Sequence, residues 1–137
     1  MGLIHLDAGV VIGLLDSNDA HHSAATTALT AAQRAGDRLA MAASAFAECL
    51  VGPSRRGTRA VAVVQDLFDR LPIDVVDLDA DTALAAADLR ARHRSLRLPD
   101  ALVLATAARR SVDELITTDR KWPTARKLRL DFAITLL

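Results

Sequence analysis

Four carboxylates in this chain occupy positions where a globular protein would place apolar side chains. Asp7 ends the run Leu3-Ile4-His5-Leu6, and Glu48 lies within Ala45-Phe46-Ala47-Glu48-Cys49-Leu50-Val51. Asp100 opens Asp100-Ala101-Leu102-Val103-Leu104-Ala105, and Asp119 follows Leu115-Ile116-Thr117-Thr118. An ionised carboxylate withdrawn from water is costly unless a positive or strongly hydrogen-bonding group meets it. No lysine or arginine stands within a helical turn of Asp7 or Glu48, so one shared cation is the economical partner. Hard oxygen donors without His or Cys favour Mg²⁺ or Mn²⁺ over zinc. Such an ion, held by a few carboxylates, keeps water in its shell; that water can attack a phosphodiester while the ion neutralises the growing charge.

Plainer roles exist for three of the four. Asp7 can N-cap a following helix, Asp100 after Pro99 is ordinary helix-start chemistry, and Asp119 can cap a short turn toward Trp122. Glu48 is one of only two glutamates and sits inside a helical pattern beside Phe46, Leu50 and Val51, where a cap explains nothing. Asp66, Asp69, Asp74, Asp77, Asp79 and Asp81 have polar company and read as solvated. The four histidines show no zinc spacing and read as non-ligands: His5 is in the first strand, His21 and His22 precede a helix, and His93 lies among arginines. No Gly-rich phosphate loop or G-x-S-x-G element supports nucleotide-dependent or acyl-transfer chemistry.

The elements that must position these acids alternate. Leu3 to Leu6 reads as a strand, then helices run through Val10 to Leu15 and His22 to Ala35. Leu39 to Ala42 is a second strand, followed by a helix from Ala45 to Val51 that Gly52-Pro53 should stop. Gly57 to Leu71 is helical, Ile73 to Val76 a third strand, and Asp79 to His93 and Pro99 to Arg110 are helices. Leu115 to Thr117 is a fourth strand and Asp131 to Ile134 a fifth at the edge. This alternation predicts a single α/β domain over residues 1–137 with a mostly parallel sheet of four to five strands. In such sheets the functional crevice opens at the carboxyl ends of the strands, where Asp7 and Asp119 fall.

At 137 residues, 51% of them hydrophobic, the chain can bury a sizeable aliphatic core. Three Phe, one Trp and no Tyr are too few for a base-stacking platform. The lone Cys49 forms no internal disulfide, which suits a reducing cytosol, and no apolar run or leader predicts a membrane segment; a cytoplasmic location is expected. Net charge is zero, yet fifteen of the seventeen basic residues are arginine. They cluster as Arg55, Arg56 and Arg59; as Arg90, Arg92, Arg94 and Arg97; and as Arg109 and Arg110. Each cluster alone reads as a solvated face. Beside an acidic centre, Arg90, Arg92, Arg94 and Arg97 become candidate contacts to RNA phosphates, which the guanidinium fork suits.

The pieces Ile4-His5-Leu6-Asp7-Ala8, Ser44-Ala45-Phe46-Ala47-Glu48, Leu98-Pro99-Asp100-Ala101-Leu102 and Leu115-Ile116-Thr117-Thr118-Asp119-Arg120-Lys121-Trp122, in this order and at these intervals, resemble the PIN-domain ribonucleases. Within that family the chain resembles the toxin component of VapBC toxin–antitoxin pairs. The resemblance covers almost the whole chain. It implies an α/β/α sandwich, an acidic pocket for Mg²⁺ or Mn²⁺, and endonucleolytic cleavage of cellular RNA such as tRNA or rRNA. Asp7, Glu48, Asp100 and Asp119 would be its catalytic, metal-holding acids, and Thr117 a hydroxyl supporting them. It also implies a cognate antitoxin and a homodimer. One departure is Gly9: the family often carries Ser or Asn two positions after the first Asp, so a hydrogen bond to Asp7 is missing here.

Competing classes are a receiver-like phosphoacceptor domain, a haloacid-dehalogenase-like phosphatase and a catalytically silent PIN-like scaffold that binds a partner. The receiver needs adjacent acids after the first strand and a lysine after a late one. The phosphatase needs Asp-x-Asp, which Asp7-Ala8-Gly9 lacks. Retention of all four acids argues against the scaffold.

Overall fold

The computed structural model describes residues 1–137. Strand β1 (Leu3–Leu6) leads into α1 (Ala8–Leu15) and α2 (His22–Ala35). Strand β2 (Arg38–Ala42) leads into α3 (Ala43–Arg56) and α4 (Thr58–Arg70), and β3 (Ile73–Val76) into α5 (Ala80–Arg92) and α6 (Leu98–Arg109). Strands β4 (Glu114–Thr117) and β5 (Ala133–Leu136) follow. Every strand pairing is parallel, and the spatial order is β3-β2-β1-β4-β5. The α/β class holds, with all five strands parallel.

Parallel sheets are stable when both faces are covered. Consecutive residues Ile4, His5 and Leu6 are all buried, as are Leu39 to Ala42, so neither strand alternates between core and solvent. Crossovers between parallel strands are right-handed. The steps β1 to β2 to β3 run one way and place α1 to α4 over one face; the chain then returns past β1 to β4, carrying α5 and α6 over the other. That reversal makes the boundary between β1 and β4 a switch point, where a crevice opens beyond the carboxyl ends of the strands.

Local chemistry sets the helix ends. Asp7 is the N-cap of α1. Helix α2 closes on Gly36 at φ 72°, with Gly36 N–H donating to the Gln33 carbonyl at 3.1 Å and Asp37 N–H to the Ala32 carbonyl at 3.0 Å. This is the Schellman arrangement, for which glycine carries no steric penalty. Asp79 caps α5 by accepting from the Thr82 N–H at 2.8 Å.

Two boundaries differ from expectation. Helix α3 does not stop at Gly52-Pro53 but runs through them to Arg56. Ala45, Cys49 and Pro53 are its buried residues, spaced by four, so the proline extends the apolar stripe that faces the core. A proline inside a helix costs about 3 kcal/mol; packing of that stripe outweighs it here. The helix ends at Gly57, φ 119°, whose N–H donates to the Pro53 carbonyl at 3.1 Å. The edge strand is Ala133–Leu136 rather than 131–134, because Phe132 is drawn into the core and the strand begins only after it.

Helix α6 has the most buried residues of any helix: Ala101 and every residue from Val103 to Ala107. Leu104 is fully enclosed. Leu104→Ala is expected to lower the unfolding free energy by about 2–5 kcal/mol, read as a drop in the urea midpoint with an unchanged slope.

Candidate functional site

Asp7 leaves β1 in extended geometry and turns into α1, so its carboxylate is held at the switch point. Oδ1 accepts from the Ala8 N–H at 2.8 Å and Oδ2 from the Thr117 hydroxyl at 2.8 Å. The residue is only 9% exposed. Burial pushes its carboxyl above the ordinary carboxylate range, the two hydrogen bonds pull it back, and the charges of Asp100 and Asp119 push it up again. The cap role and a place among the acids therefore coexist in one residue.

Thr117 ends β4 fully buried, and its hydroxyl works in two directions. It donates to Asp7 and accepts from the Asp119 N–H at 3.1 Å. The strand itself is tied across the sheet, with Asp7 N–H donating to the Ile116 carbonyl and Leu137 N–H to the Thr117 carbonyl, both at 3.0 Å. Asp119 accepts from the Lys121 N–H at 2.8 Å, forming the short turn toward Trp122. Asp100 stands in the first turn of α6 with its side chain 13% exposed and Oδ2 3.5 Å from Nε of Arg97.

Glu48 departs from the picture of a buried acid. It is exposed on α3, because the core-facing stripe of that helix runs through Ala45, Cys49 and Pro53 instead. Its carboxyl is nevertheless raised, first by partial withdrawal from water and then by the charges of Asp7 and Asp100, against a lowering by Arg97. Glu48 therefore feels the other acids across the crevice while facing solvent.

Asp100 and Asp119 line one cleft of about 490 Å³ together with Arg97, Thr118, Arg120 and Lys121. Of the four candidate arginines, only Arg97 lines it. Arg92 pairs with Asp88 at 2.7 Å on the exposed face of α5, and Arg90 and Arg94 are exposed outside the cleft lining. Arg120 and Lys121 had no role from sequence alone; their signal was the run Thr118-Asp119-Arg120-Lys121 directly beyond a strand's carboxyl end. A second cavity lies at β3, where Arg110 pairs with Asp74 at 2.9 Å and Arg109 reaches Asp81 at 3.7 Å. Arg109 and Arg110 stand there among Asp74, Asp77 and Asp79.

No group of three or more His, Cys, Asp or Glu side chains is drawn together tightly enough to grip an ion unaided. The donor chemistry still suits a hard cation. Asp7, Asp100, Asp119 and Glu48 offer only carboxylate oxygens, and Mg²⁺ is ordinarily held by one or two carboxylates with water completing its shell.

His5 neighbours this site without a polar partner. It is fully buried, neither ring nitrogen is hydrogen-bonded, and burial, aided by Arg110, lowers its pKa to about 4. The folded state thus holds a neutral ring, and its contribution to stability is present above the ordinary value of 6.5 and lost as pH falls toward 4. His5→Leu is expected to flatten the loss of stability between those pH values, by up to about 3 kcal/mol, in urea titrations at a pH series.

The chain matches the PIN domain family over residues 4–128 and belongs to that family. Its fold is that of toxin–antitoxin structures. A Rickettsia felis VapBC2 structure, bound to a DNA fragment from its promoter, superposes with a TM-score of 0.75 at 13% identity, covering 98% of each chain. Mycobacterium tuberculosis VapC20, described as a sarcin-ricin loop cleaving toxin, gives 0.66 at 19% identity over 82% of this chain and 86% of its own. A toxin–antitoxin complex from Klebsiella pneumoniae gives 0.62 at 24% identity over 85% and 86%. No curated protein matches the sequence.

Proposed function

We propose that this protein is a Mg²⁺- or Mn²⁺-dependent endoribonuclease, the toxin of a type II toxin–antitoxin pair, acting in the cytoplasm on cellular RNA such as tRNA or rRNA. One observation supports the reading: on a PIN fold, Asp7 feels the charges of Asp100 and Asp119, and Glu48 those of Asp7 and Asp100. Asp7, Asp100, Asp119 and Glu48 would hold the cation, which when bound supplies charge neutralisation and an acidified water. Thr117 keeps Asp7 oriented. Arg97, Arg120 and Lys121 form a basic rim for RNA phosphates.

The relatives in fold come from VapBC assemblies, which supports a cognate antitoxin as partner; a homodimer is the proposed working unit. Val51 and Val63 stand exposed on α3 and α4, and Arg55, Arg56 and Arg59 are exposed beside them, a surface suited to an apolar antitoxin helix with acidic flanks. No helix is long and apolar enough to cross a membrane.

Incubation of the purified chain with an RNA panel, with Mg²⁺, Mn²⁺ or EDTA, tests the activity. Cleavage is expected only with a divalent ion. Its absence in all conditions, with antitoxin binding intact, would leave a binding scaffold. Expression alone should arrest a bacterial host, and co-expression of the neighbouring reading frame should relieve it; healthy growth at high soluble levels would refute the toxin assignment. For the rim, Arg97→Gln/Arg120→Gln/Lys121→Gln should reduce the salt slope of RNA binding by about 0.7 per lost phosphate contact. An Arg90→Gln/Arg92→Gln/Arg94→Gln variant should change it little.

A further inference from the structure

Gly9 lies in the first turn of α1, two residues beyond Asp7. A Cβ there would stand 2.1 Å from the Thr118 hydroxyl oxygen, far inside van der Waals contact. The Thr118 hydroxyl therefore fills the space that a side chain at position 9 would take. Thr118 also lines the cleft with Asp100, Asp119 and the basic rim. Its neighbours are tied down: the Thr117 hydroxyl donates to Asp7 and accepts from the Asp119 N–H. Yet the two adjacent threonines are used differently. The Thr117 hydroxyl is engaged on both sides, whereas that of Thr118 makes no hydrogen bond within the protein.

We infer that Thr118 is a catalytic residue, whose hydroxyl, admitted by the missing side chain at Gly9, donates a hydrogen bond to a non-bridging oxygen of the RNA phosphodiester. This rests on the nuclease reading above. Thr118 lines the cleft with Asp100, Asp119, Arg97, Arg120 and Lys121, where a phosphate's charge would be shared between the basic side chains and a cation held by the acids. A hydroxyl committed to no protein acceptor is free to donate as negative charge builds on the phosphate oxygens, so its effect falls on the transition state. Gly9 is then a requirement of the site rather than a defect in it.

The test uses the full chain, a short RNA that the wild type cuts, Mn²⁺ calorimetry and urea denaturation. Thr118→Val should lower kcat about ten- to a hundredfold with KM within about threefold, leave Mn²⁺ affinity within about twofold, and be largely rescued in Thr118→Ser. Gly9→Ala should lower kcat comparably although it removes no polar atom. Because both changes act on one hydroxyl, Gly9→Ala/Thr118→Ala should be no slower than Thr118→Ala alone, and its urea midpoint should exceed that of Gly9→Ala. Wild-type kcat in Thr118→Val, or effects of Gly9→Ala and Thr118→Ala that multiply, would overturn the inference while leaving the nuclease reading intact. A wild type that neither cuts RNA nor binds Mn²⁺ would overturn the nuclease reading and the role of Thr118 together.

Discussion

Asp7→Asn is expected to abolish divalent-ion-dependent RNA cleavage while leaving the metal-free protein as stable as the wild type, or more so. The carboxylate is nearly enclosed and its pKa is raised by burial and by Asp100 and Asp119. A carboxyl whose folded pKa is raised contributes stability below its ordinary value of 3.8 and loses that contribution as pH rises through the folded value. At neutral pH the ionised side chain therefore works against folding. Asparagine keeps the shape, can accept from the Ala8 N–H through Oδ1, and caps a helix about as well as aspartate. It presents an amide to Thr117, whose hydroxyl oxygen can accept once more. Ligand charge is lost, and with it several kcal/mol of transition-state stabilisation, so cleavage should fall by about a thousandfold or more. Asp100→Asn should lose cleavage to a similar extent. Urea midpoints at pH 7 and pH 4 complete the check, the advantage of Asn over Asp shrinking at the lower pH. Retained cleavage in Asp7→Asn would reduce Asp7 to its cap.

Thr117→Val should produce the second large effect, in both stability and activity. The substitution is nearly isosteric, but it strips the buried Asp7 Oδ2 of its donor and the Asp119 N–H of its acceptor. A buried polar group left unpaired costs about 1–3 kcal/mol, and more when charged, so the urea midpoint should fall clearly. With that hydrogen bond gone, the Asp7 carboxyl rises further, and the acidic limb of the pH–rate profile should move to higher pH. Metal affinity should weaken by about ten- to a hundredfold, the usual consequence of removing a residue that orients a ligand. Thr117→Ser keeps the hydroxyl and should restore most of both. An unchanged pH profile in Thr117→Val would dissociate Thr117 from Asp7 function.

The residues that sequence makes conspicuous here are those whose chemistry conflicts with their neighbours. Asp7 and Asp119 were legible because a carboxylate directly beyond an apolar strand is locally costly, and the alternation of strands and helices put both at one sheet edge. Asp100 was legible as an acid opening an apolar helix, and the first strands and helices followed from short-range patterns with strong end signals such as Gly36. The same local reasoning misjudged Glu48, whose apolar neighbours suggested enclosure. The four-residue stripe of Ala45, Cys49 and Pro53 turns that side chain outward. It also misplaced the end of α3, since a proline that fits the buried face of a helix can be carried by packing its own residue type disfavours.

What tertiary structure decided is pairing between segments far apart in the chain. That Thr117 donates to Asp7, 110 positions away, and that Gly9 makes room for Thr118 depend on β1 and β4 lying side by side; that Arg97 rather than Arg90, Arg92 or Arg94 lines the cleft depends on the start of α6 facing the segment after β4. No residue type near any of these positions encodes that adjacency. It follows from the order β3-β2-β1-β4-β5, because the reversal of strand order brings the ends of β1 and β4 together, and with them the residues that follow each strand.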